Sequence, residues 1–92
     1  MTGYHVTTPA KLARYVATGC ILPPVRFWRF LDSAVAWSRK TQRSIVLRIE
    51  VSVSYPLPDH RPRGHAWWAD EMVRSWEAVE FPRRGRTIPG GP

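Results

Sequence analysis

Ser44–Val53, SIVLRIEVSV, is the stretch that decides the fold class of this chain. Ile45, Leu47, Ile49, Val51 and Val53 are apolar and fall at every second position. Arg48, Glu50 and Ser52 lie between them, and Val46 is the exception to the alternation. A period of two with many β-branched residues predicts a strand, one face buried and the other mostly wet. A slip by one residue would bury Arg48 and Glu50, so the register is firm. The strand is expected at the centre of a small sheet, with candidate site residues on the segments before and after it.

Upstream, Gly3–Thr7 reads as a short first strand. Thr8-Pro9 opens a helix, because threonine is a good N-cap and proline suits the first helical position. Leu12, Tyr15 and Val16 share one helical face, Lys11 and Arg14 fall to its side, and Gly19 ends the helix. Pro23-Pro24 keeps the next segment extended. Val25–Phe30 is a second strand, and a helix capped by Asp32 or Ser33 follows through Thr41, with Ala34, Trp37 and Ser38 inward.

Downstream, Tyr55–Gly64 carries three prolines and a glycine and reads as a loop. His65–Ala69 is expected as a short helix or turn. The ambiguous Asp70–Phe81 segment is read as a strand near Glu71–Arg74 and another near Ala78–Phe81. Residues 1–81 then form a single domain, and 82–92 a basic tail with Arg83, Arg84 and Arg86. The fold class expected is α+β, a small, split, mostly antiparallel sheet with two helices.

The chain has 92 residues and a formal net charge of +7. The charge is uneven: residues 1–43 hold seven bases and one acid, Asp32, whereas the remainder is nearly balanced. A basic half favours an anionic partner such as nucleic acid or a phosphate-bearing cofactor. The single cysteine, Cys20, excludes an internal disulfide and a multi-cysteine zinc site. No metal site is expected, since His60 and His65 stand in a proline loop without a third ligand. No apolar run is long enough to span a membrane, and the N-terminus lacks the form of a signal peptide, so the cytoplasm is the expected compartment. His5 and Thr7 are two apart on a strand and share a face. Glu71 follows two tryptophans and Asp70 and is the second group of chemical interest.

Tyr4-His5-Val6-Thr7, then Leu12, then Gly19-Cys20-Ile21 resembles the opening of ADP-ribosyltransferase-fold proteins. Those begin with a strand bearing His-x-Thr, followed by a helix ending in glycine and a hydrophobic residue. The similarity is nearest to small bacterial members and to the DNA-modifying toxin and RNA 2′-phosphotransferase branches. Strand 25–30, the helix from Asp32 and strand 45–53 follow the same order. Leu57-Pro58-Asp59 and Asp70–Val73 resemble the late strand that carries the family's glutamate. Where the family often has a tyrosine on or after the second strand, this chain offers Arg26, Phe27 and Trp28.

The resemblance implies an ADP-ribosyltransferase-like domain that uses NAD and transfers ADP-ribose to a nucleic-acid or protein acceptor. It implies His5 and Thr7 at the riboses, with Tyr15 or Trp28 stacking on nicotinamide. Glu71, with Glu77 as its competitor, would stabilise positive charge at the ribose as the glycosidic bond breaks. Two other readings stand beside it. One is a basic nucleic-acid-binding module using Arg26, Arg29, Arg39, Lys40 and Arg43. The other is a degenerate member that binds a protein as an accessory factor or inhibitor.

Overall fold

The computed structural model describes residues 1–57 and 66–80. The expectations for 58–65, which include His60 and His65, and for the tail beyond Phe81 lie outside the described residues. In chain order the elements are β1 (Thr2–Thr7), α1 (Pro9–Thr18), β2 (Val25–Trp28), α2 (Leu31–Thr41), β3 (Ile45–Glu50), β4 (Tyr55–Pro56), β5 (Ala66–Ala69) and β6 (Glu77–Ala78). The class is α+β. The strands form one sheet in the order β4-β5-β2-β1-β3-β6, and every pairing is antiparallel.

The alternating stretch is the interior strand β3, although β1 and β2 hold the middle of the sheet. Its pairing with β1 runs the full length, from Thr2 opposite Glu50 to Thr7 opposite Ile45. Leu47, Ile49 and Val51 are buried on one face with Val25, Phe27, Ala69, Ile21 and Val73. Leu12, Tyr15, Trp67 and Trp76 pack against that cluster. Val46 breaks the alternation for a physical reason. It lies on the opposite face, where α2 brings Ala34 over Val6, Trp28 and Ala66. Arg48 and Glu50 share that face of β3 but are exposed. Arg48 meets Glu77 of β6, and Glu50 accepts from the Thr2 hydroxyl.

Helix α1 is bounded as its sequence directs. The Thr8 side chain accepts from the Lys11 N–H at 3.2 Å, Pro9 is the first helical residue, and Gly19 closes the helix at φ 79°. Yet no residue of α1 is buried. The face bearing Leu12 and Tyr15 is only half-covered, and Val16 remains 67% exposed. Helix α2 buries Ser33, Ala34 and Ser38 on the other side of the sheet.

Five expectations are corrected. Tyr55–Pro56, expected to open a loop, is the short strand β4, paired with Trp67 and Trp68 of β5. Neither Asp32 nor Ser33 caps α2, which starts at Leu31 after Phe30 with no side-chain cap; Asp32 sits in the first turn, where its charge suits the helix dipole. Strand β3 stops at Glu50, and Val53 is 57% exposed beyond a bend. Ala66–Ala69 is a strand, because it pairs with Val25–Trp28 residue by residue. Glu71–Arg74 is no strand of its own: Val73 makes a single bridge to Ile21, and the next strand is Glu77–Ala78.

Gly3 is buried in the middle of β1 with the Phe27 ring laid across its backbone, and a Cβ there would overlap that ring. Gly3→Ala should therefore destabilise the fold by overpacking, by about 1–3 kcal/mol. A urea denaturation curve with a lowered midpoint and unchanged slope checks this.

Candidate functional site

The site begins where β1 and β2 part. β1 is paired with β3 along its whole length, but with β2 it has one pairing, Tyr4 with Trp28. Beyond that point the His5 side chain takes over from the backbone ladder. Its Nδ1 lies 2.6 Å from the Arg26 carbonyl oxygen. A carbonyl only accepts, so Nδ1 carries the proton and donates. In the neutral ring Nε2 is then an acceptor, and the Tyr15 hydroxyl donates to it at 3.1 Å. The Thr7 hydroxyl stands 3.4 Å from the Tyr15 hydroxyl and extends the chain of hydrogen bonds. Thr7 is fully buried, and the Tyr15 ring lies edge-on to Trp76 with centroids 6.1 Å apart.

Burial is the main reason His5 holds its proton less tightly than an ordinary histidine. The Arg26 carbonyl works against this, and the positive charges of Lys11 and Arg43 work with it. His5 is thus neutral at pH 7, the state its hydrogen bonds require.

A cleft of about 480 Å³ opens at this parting, between α1, the link into β2 and the end of α2. That volume falls within the usual range for small-molecule sites. His5 and Tyr15 line it. Lys11 and Arg14 reach it from α1, Arg26 from β2, and Arg43 from just after α2. Trp28 and Trp37 form one wall, and Cys20, Leu22 and Pro24 form part of another. No aspartate or glutamate is among the lining residues. Among the described residues, none of the four cations has an ion-pair partner.

Of the residues singled out in the sequence, the fold brings together His5, Thr7, Tyr15, Trp28, Arg26 and Arg43 around this cleft or just behind it. Tyr15 meets His5 through its hydroxyl, while Trp28 is buried against Trp37 with ring centroids 5.7 Å apart. Arg29 lies over the Trp67 ring at 5.8 Å, and Lys40 over Trp37 at 5.7 Å, both outside the lining. Arg39 is exposed in the last turn of α2.

Glu71 is placed elsewhere. Its carboxylate accepts from the Ser52 N–H at 2.9 Å and from the Val53 N–H at 3.3 Å, which pins the bend after β3. Glu77 pairs with Arg48 near the sheet edge. Neither carboxylate lines the cleft that His5 enters. Lys11 and Arg14 were not singled out, although a signal existed. Lys11 and Tyr15 are four apart on a helix and therefore neighbours, as are Arg14 and Thr18. Among the described residues no three histidine, cysteine or carboxylate groups gather as a metal would need.

The neutral His5 has a consequence for pH. Below its usual value near 6.5 the unfolded chain takes up a proton that the folded chain refuses. Stability should therefore fall as the pH drops from about 6.5 towards the lowered value in the native state. His5→Gln should flatten that part of the profile, measured as thermal midpoint against pH. His60 and His65, present in both proteins, cancel in the comparison.

Comparison with known proteins brings no matching family model, no matching curated relative and no matching solved structure.

Proposed function

We propose that this chain is an ADP-ribosyltransferase-like protein whose cleft holds a phosphate-bearing nucleotide, NAD being the ligand that the sequence resemblance puts first. The observation that carries the reading is the convergence of Lys11, Arg14, Arg26 and Arg43 on one cleft with no carboxylate in its lining. Cations without acidic partners attract phosphate oxygens, and arginine does so in a planar, two-pronged geometry. His5 adds a ring held in one orientation by the Arg26 carbonyl. Its Nε2 accepts from the Tyr15 hydroxyl, and a ribose hydroxyl that takes the place of that donor would meet the same acceptor.

These residues fit the holding of a dinucleotide. Cleavage of its glycosidic bond needs a carboxylate beside the ribose to meet the developing positive charge. Glu71 and Glu77 are engaged with the Ser52–Val53 backbone and with Arg48. The residues of the cleft thus support binding, and no transfer step is routed through them. The compartment proposed with this reading is the cytoplasm.

A second reading, a single-stranded nucleic acid lying across the basic surface, is favoured by one observation. On the α2 side of the sheet Lys40 lies over the Trp37 ring, a cation beside an aromatic face, the combination on which a single strand stacks.

Calorimetry with NAD separates the two. Saturable binding is expected, weakened by at least about tenfold in the Arg14→Ala/Arg26→Ala double variant, since the net loss of even one charge-assisted contact is worth about 1.5–3 kcal/mol. No binding at about 10 mM NAD, a concentration that registers contacts as weak as about 3 kcal/mol, would overturn the nucleotide reading. A salt-sensitive shift with single-stranded DNA or RNA in its place would favour the second.

A further inference from the structure

The cleft holds more positive charge than a plain dinucleotide can neutralise. Lys11, Arg14, Arg26 and Arg43 converge on it from three separate parts of the chain. None is ion-paired among the described residues, and no acidic side chain lines the cleft. His5, itself in the lining, is kept neutral mainly by burial, and Lys11 and Arg43 add a smaller push in the same direction. NAD brings about two negative charges on its pyrophosphate and returns about one positive charge on its nicotinamide ring. Against four cations such a ligand leaves an excess of positive charge, and residual like charges repel at close range.

We propose that the cleft selects its nucleotide by net negative charge, so that its preferred ligand is a nucleotide more anionic than NAD, such as one bearing an additional phosphate monoester. The selection rests on the nucleotide-binding reading of the cleft and adds to it the class of ligand. A phosphate monoester adds about −1.5 to −2 charges near pH 7, together with three acceptor oxygens. Lys11 and Arg14, one turn apart on α1, are neighbouring cations at the cleft and so are best placed to meet such a group together.

The test is a calorimetric series on the full chain at low salt, where charge effects are least screened. The ligands are NAD, NADH and NADP. NADH has the phosphates of NAD, and its reduced ring carries no positive charge. NADP has the ring of NAD and adds one monoester. NADH should bind about fivefold more tightly than NAD, the worth of one contact between unit charges in water. NADP should bind at least about tenfold more tightly than NAD, and the gap should shrink as salt is raised. The Lys11→Gln/Arg14→Gln variant, with its fold checked by circular dichroism, should compress the series.

Equal affinities for all three ligands would overturn charge selection and leave the nucleotide reading standing. So would tighter binding of NAD than of NADP. Failure of all three to bind would overturn both. A series that keeps its full spread in the double variant would show that these cations do not set it, and would also overturn the proposal.

Discussion

One hydrogen bond governs the geometry of the site, that from His5 Nδ1 to the Arg26 carbonyl. A backbone carbonyl at the parting of two strands needs a donor, and the neighbouring strand no longer offers one. An imidazole supplies it, and in doing so fixes its own tautomer and direction. The far side of the ring is then committed to accept, and Tyr15 meets it. The opening between β1 and β2 is therefore stable as an opening. The Arg26 carbonyl is satisfied there by a side chain that faces the cleft.

The rest of the sheet makes that opening affordable. β1 keeps its pairing with β3 on its other edge, and β2 keeps its pairing with β5. β2 buries apolar residues on two faces, Val25 and Phe27 towards α1 and Trp28 towards α2, and β1 buries Val6 towards α2. The strands are held from outside and by their faces, so their shared edge can open into the cleft. The cations arrive from elements anchored by these two clusters: Arg26 lies between the buried Val25 and Phe27, and Arg43 follows a helix seated on Ala34.

Much of this was legible wherever the cause is local. Thr8, Pro9 and Gly19 bound α1 through capping and backbone preference, which need no tertiary partner. The alternation in β3 reports a buried face directly, and Val46 only makes sense once α2 lies opposite. The misses share a different cause. Ala66-Trp67-Trp68-Ala69 has no alternation, and its strand state comes from the edge of β2. Asp32 looks like a cap but serves α2 from inside its first turn. Glu71 carries no mark of its partner, since the two N–H groups that it accepts belong to a bend set by the end of β3. His5 and Thr7 were legible as a shared face, whereas Lys11 and Arg14 become site residues only because of where the helix lies.

Helix α1 has its own significance. It supplies a tyrosine and two cations to the cleft while contributing no buried residue to either core cluster. The parts of a protein that hold it folded and the parts that choose its ligand usually overlap, so a change in preference costs stability. Under the nucleotide reading proposed above they are largely separate in this chain: the sheet and α2 secure the fold, and one ten-residue helix would carry much of the recognition. Such a division leaves recognition open to sequence drift, since positions such as 11 and 14 can be rewritten with little effect on folding.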